Sequence, residues 1–162
     1  MVQKAVNFVQ KLGYEGQILT NNYGSIRGQA LRKYYNKTGA VIPFGRVVVK
    51  VSGSKENIKL PDASGTTPEG IAIFNDFLNN VLIDNLANQG YQPDSMVSVV
   101  KGGSIDIVVW SEVATDVDDP VFYRHATADA VNLPLGRFTN VTSANHTAWT
   151  NARFVYKTTG AG

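Results

Sequence analysis

The sequence predicts an all-β fold, a sandwich or a barrel. Apolar residues recur with a period of two in short runs, as in Val47, Val49 and Val51 of the stretch VIPFGRVVVKV. Gly, Pro, Asn, Asp and Ser separate these runs, and the chain holds 15 Gly and 6 Pro to do so. About seven to nine short strands at uneven spacing, without strands and helices in alternation, fit a sandwich or barrel rather than a βαβ array.

Residues 1–40 read differently from the rest. In KAVNFVQKL (4–12), Ala5, Phe8, Val9 and Leu12 fall at i, i+3, i+4 and i+7, and Gly13 is placed to end a helix. Such a helix of about two to three turns is marginal alone in water and needs a surface to lie on. The following GYEGQILTNNYGSIRGQ has four glycines and a single adjacent apolar pair, Ile18 and Leu19, which predicts an extended arm or long loop. Tyr14, Tyr23, Tyr34 and Tyr35 add more aromatic surface than a free linker carries. Either these tyrosines pack on their own domain or the arm lies on a neighbouring subunit. On the second reading the interface candidates are Phe8, Tyr14, Ile18, Tyr23, Tyr34 and Tyr35. The division expected is therefore an arm over 1–40 and a β domain over 41–162.

Within the β domain, Pro43 and Gly45 lead into a strand over 47–51 with one face buried. Ser52–Ser54 is a turn, NIKL (57–60) a short strand closed by Pro61, and GIAIF (70–74) a buried strand. Residues 75–93 mix helical spacing at Phe77, Leu78, Val81, Leu82 and Leu86 with residues of weak helix propensity, and read as a loop with room for a helix. MVSVV (96–100), Gly102-Gly103 and SIDIVVW (104–110) predict a hairpin with apolar residues on both faces. TDVDDP (115–120) is an acidic turn, VFYR (121–124) a strand, RFTNV (137–141) a strand after a bend, and 148–158 the last strand.

A chain of 162 residues is long enough for one core. Charged residues make up 17%, against ~25% in typical globular proteins. A net charge of +2 without a basic run speaks against nucleic-acid binding, and the absence of Cys excludes disulfides, thiolate chemistry and Cys-based zinc sites. No apolar run approaches the ~20 residues of a membrane-spanning helix, and no secretion signal is recognisable, so synthesis in the cytoplasm is expected.

Candidate chemistry is sparse. His125 and His146 lie near no nucleophile elbow or zinc-binding motif, and are expected to be structural or solvated. Glu112, Asp116, Asp118 and Asp119 crowd together as a calcium site or a hydrolytic carboxylate pair would, but not at EF-hand spacing. A charged turn before Pro120 is the plainer reading. The N-x-T triplets at Asn36, Asn140 and Asn145 bear on glycosylation only in a secreted protein. No catalytic, cofactor-binding or metal-binding residue is predicted.

The ordered segments GYEGQI, IPFGRVVVKV, KLPDA, GIAIF, YQPDSMVSVVKGGSIDIVVWSEV, DDPVFYRHA, LGRFTNV and AWTNARFVYKTTGAG resemble the structural cement, or capsid decoration, proteins of tailed bacteriophages. The likeness runs from about Gly13 to the end. It implies a jelly-roll-like protein, commonly a homotrimer, without cofactor or catalysis. Such a protein sits on the outer surface of the virion shell and cements major capsid protein subunits together. Neither nucleic acid nor membrane is then a direct partner. Two other readings of the residues remain at this point: a carbohydrate-binding jelly roll using Trp110, Trp149 and the turn near Asp116, and a hydrolase built on Glu112–Asp119.

Overall fold

In a computed structural model, residues 15–18, 31–64, 66–74, 90–102, 106–126 and 135–161 are described, and they form β-structure throughout. The strands are β1 (Leu31–Asn36), β2 (Ile42–Pro43), β3 (Val47–Lys50), β4 (Asn57–Lys59), β5 (Gly70–Ala72), β6 (Gly90–Tyr91), β7 (Met96–Val100), β8 (Pro120–Arg124), β9 (Phe138–Thr139) and β10 (His146–Arg153). The order β1-β4-β3-β5-β7 closes on itself as a barrel, since β7 also pairs with β1. The β1–β4 pair is parallel and the other barrel pairs are antiparallel. A three-stranded sheet, β10-β8-β9, and the two-stranded β2-β6 complete the described part.

The all-β expectation holds, as a barrel joined to a small sheet. Apolar side chains on alternate positions fill the barrel: Tyr34, Val48, Ile58, Ala72, Val97 and Val99 belong to one cluster with Ile42, Phe44 and Tyr91. Phe44 meets Phe74 and Tyr91 edge to face, each with ring centroids 5.2 Å apart, the geometry that aromatic quadrupoles favour. Asn36 is fully buried, and its amide is used completely. It donates to the carbonyls of Ala40 and Tyr91 and accepts from the backbone and hydroxyl of Thr38. The Asn36-Lys-Thr38 triplet is thus a turn lock that satisfies buried polar atoms.

Three features depart from the sequence reading. Val47, Val48 and Val49 are all buried, so β3 has two covered faces rather than one. Val48 points into the barrel cluster, whereas Val47 packs with Val121, Tyr123 and Phe138 of the sheet. The strand is the wall shared by both cores. Second, β7 forms no hairpin with the residues after it, because both its edges are taken, by β1 and by β5. Ile107 instead bridges Ile18, so long-range pairing overrides the local Gly102-Gly103 turn signal. Third, the last strand begins at His146 and ends at Arg153, and its register against β8 shifts between Ala148 and Arg153. The segment 75–89 lies outside the described residues.

The stretch 15–18 is built into the body. Gly16 donates its N–H to Val108 and accepts from Phe74, and Val108 donates to Gln17. Gly16 and Gly45 both have positive φ, at 81° and 70°, and approach so closely that a Cβ on either would lie within 2.9 Å of the other's backbone nitrogen. Only glycine fits both the left-handed conformation and the contact. This is why a GYEGQ motif and a PFGR motif occur together.

Candidate functional site

Of the six contact candidates, Phe8, Tyr14 and Tyr23 lie outside the described residues. Ile18 is half-buried, and packs with Leu31 and Ile107 against Ile73 and Val100. Tyr34 is 7% exposed and its ring belongs to the barrel core. Its hydroxyl donates to Glu69, and burial together with that carboxylate pushes its pKa up to about 12. Glu69 also accepts from Lys101 at 2.7 Å; burial alone would raise it, but these donors hold it below the usual carboxylate range. Tyr35 is the outward neighbour, 41% exposed, and faces the equally exposed Met96 across the β1–β7 pair. The strand's alternation therefore gives Tyr34 to the core and Tyr35 to the surface.

The sheet carries a polar group that sequence spacing could not reveal. Glu112 receives both arms of the Arg124 guanidinium, at 2.6 and 2.8 Å, and the Nε2 of His146 at 3.1 Å. The side chains of Glu112, Arg124 and His146 are all less than a tenth exposed. Burial would raise the Glu112 carboxyl, but the Arg124 hydrogen bonds and charge, with His146 beside it, hold it below its ordinary value. Burial pushes His146 down against the pull of Glu112, so the neutral ring donates from Nε2 and accepts the Ser143 hydroxyl at Nδ1, 2.7 Å away. Next to it, Thr147 bonds the Nδ1 of buried His125 at 3.0 Å.

Hydroxyl, imidazole and carboxylate in this order are the parts of a hydrolytic triad, and His146 does meet the oriented partners that the sequence did not disclose. The surroundings make the group a tie instead. The Arg124 fork occupies the carboxylate that would support an imidazolium, and a depressed His is a weak base. Ser143 also accepts the Asn145 N–H at 3.2 Å within a turn that His146 N–H closes on the Ser143 carbonyl, the local capping typical of serine. The cluster joins β8, β10 and the segment after Ser111.

Glu112 is thereby turned away from the acidic turn with which it was grouped. In that turn Asp119 accepts the Asp116 N–H at 2.8 Å and the Asn140 amide at 2.5 Å, while Lys157 pairs with Asp116 at 3.1 Å. Among the described residues no group of three or more His, Cys, Asp or Glu is placed to hold a metal ion.

The same turn helps to form an apolar tip. Thr158 donates to the Thr115 carbonyl at 2.9 Å, Asp118 to Phe154 at 2.8 Å, and Asn140 to Ala114 at 3.2 Å. These bonds hold residues 113–119, 140–141 and 154–158 together and leave Val113, Val117, Val141, Val155 and Tyr156 exposed on them. From this tip a groove of about 710 Å³ runs between the sheet and the barrel, floored by Ile71, Val100, Phe138 and Trp149. Of these exposed side chains, Val155 and Tyr156 also line the groove.

A family model described as structural cement protein (E217 gp24/Pam3 gp6) matches residues 2–162. No curated protein matches the chain.

Proposed function

The chain belongs to the phage structural cement protein family; from that membership, which makes it a structural, capsid-stabilising component of the phage particle, we propose that it binds the outer capsid surface as a homotrimer and clamps neighbouring major capsid protein subunits together. The match over essentially the whole chain carries this reading. The apolar tip at Val113, Val117, Val141, Val155 and Tyr156 supports it, because it offers a preformed contact surface at low ordering cost. Tyr35 and Met96 offer a second, smaller patch on the barrel.

Binding to expanded heads that lack the protein tests the proposal. Saturable binding at positions set by shell symmetry is expected, together with greater resistance of the decorated heads to heat and chelation. Heads equally fragile with and without the protein would refute it. The carbohydrate reading has less to stand on: Trp149 stacks on Phe138 with centroids 6.2 Å apart, and the Arg137 guanidinium covers the Trp110 ring at 4.9 Å.

A further inference from the structure

We propose that one end of the barrel is a docking mouth for carboxylates, and that its partner is an acidic segment on the surface of a capsid subunit. Strand alternation builds it. On β1, β3 and β7 every second side chain fills the barrel, and the position two further out on the same face is a cation each time: Arg32 before Tyr34, Lys50 after Val48, and Lys101 after Val99. β1 runs antiparallel to β7, while β3 and β7 are both antiparallel to β5, so the start of β1 and the ends of β3 and β7 lie at one end of the barrel. Glu69 stands there too, immediately ahead of β5.

Donors and acceptors at this end do not balance. Glu69 is buried; its Oε1 accepts from the Tyr34 hydroxyl and from Lys101 at 2.7 Å, and Lys50 stands 3.6 Å from its Oε2. The three cations are exposed. Burial and Glu69 raise the Tyr34 pKa, and the charge of nearby Arg32 pulls against them. The Arg32 guanidinium itself has a single contact at hydrogen-bond distance, 3.5 Å to the adjoining Leu31 carbonyl. Among the described residues no other carboxylate lies within ion-pair distance of Arg32, Lys50 or Lys101. Lys55 and Glu56, in the turn ahead of β4, add one charge of each sign. Three cations thus face one covered carboxylate, and their remaining N–H groups can be met only by acceptors. The buried Glu69 also holds Lys101 in place before a partner arrives, which lowers the ordering cost of binding.

A protein carboxylate fits this mouth better than a nucleic acid does. Phosphate-driven binding needs many cations along a stripe, whereas here the positive charge gathers about one carboxylate at the end of a closed barrel, in a chain of net charge +2. One or two Asp or Glu side chains would neutralise the excess. That they belong to a capsid subunit rests on the capsid reading; the carboxylate chemistry rests on the barrel alone.

Hexaglutamate is the probe for the free protein. In an NMR titration, saturable amide shifts are expected at Arg32, Lys50 and Lys101, fading as the Debye length is cut from ~30 Å in ~0.01 M salt to ~3 Å in ~1 M. The double variant Arg32→Gln, Lys50→Gln keeps the Lys101–Glu69 pair and should bind the peptide roughly tenfold more weakly. No shifts, shifts scattered over the whole surface, or tighter binding of an oligothymidylate at the same residues would overturn the proposal. Expanded heads separate the two readings. Heads bound equally well by the wild type and the double variant would overturn the acidic contact and leave capsid binding standing. A protein that takes hexaglutamate at the mouth but never binds heads would refute the capsid reading and leave the carboxylate site standing.

Discussion

The barrel and the three-stranded sheet share one wall, β3, yet solve the burial problem in opposite ways. The barrel closes, so its strands leave no unpaired edges, and its interior is aliphatic and aromatic with Asn36 fully bonded inside it. The sheet stays open. It buries charged residues in an Arg124–Glu112–His146 tie and leaves valines outside. A closed unit leaves no edge to cover, whereas the open one leaves apolar side chains in solvent. On the proposed reading, the scaffold and the larger of the two apolar contact patches fall on different halves of the molecule.

Four measurements would break or sharpen that contrast. The largest expected effect is from Glu112→Ala, which strands the Arg124 guanidinium in a buried site and should cost ~3–5 kcal/mol in denaturant unfolding. Hydrogen exchange should show the loss concentrated in β8 and β10; equal loss in the barrel would mean the halves are one cooperative unit. Next, Val48→Ala and Val47→Ala remove the same group from the two sides of β3, each fully buried. A cost of ~1.5–3 kcal/mol is expected for Val48, facing the closed core, and less for Val47, facing the open one. The reverse order would count against the contrast.

Third, stability should fall with acid through the sheet. Both His146 and Glu112 have folded pKa values below their ordinary values of 6.5 and 4.5. The unfolded chain therefore binds protons first, and stability present at neutral pH declines as pH drops below about 6.5 and again below about 4.5 as Glu112 titrates. The double variant Glu112→Gln, His146→Gln should flatten the melting temperature between about pH 6.5 and 4.5 and only lessen the fall below that, where Glu69 and Asp119 are also held low; an unaltered profile would assign the dependence elsewhere. Last, Val117→Ser and Tyr35→Ser should alter stability by no more than ~0.5 kcal/mol, since both side chains are exposed. Weaker capsid binding by Val117→Ser alone would place the contact on the sheet half.

Much of the barrel was legible in the sequence, because NIKL, GIAIF and MVSVV carry alternation or compact apolar runs between turn residues, and each contains a strand. β1 was not. Its LRKYYN sequence shows only Tyr34 and Asn36 to the interior, and a buried Asn reads as a turn residue until its bonds to Ala40 and Tyr91 are seen. The stretch 1–40 was read as one arm on composition; 31–36 is a barrel strand and 15–18 is paired. The polar tie was illegible for another reason. Glu112 lies 12 residues from Arg124 and 34 from His146, and no local pattern reports a meeting that β8–β10 pairing creates.

Ile18 and Leu31 pack in the same small cluster with Ile107. The two ends of the stretch 19–30 are thus held on one cluster, so its length is decoupled from the geometry of the barrel. Closing a longer excursion between the same two anchors costs only ~0.6 kcal/mol for each doubling. The position is therefore a natural insertion port: a foreign peptide grafted between Ile18 and Leu31 should leave the fold in place and, on a decorated shell, be repeated as often as the protein itself.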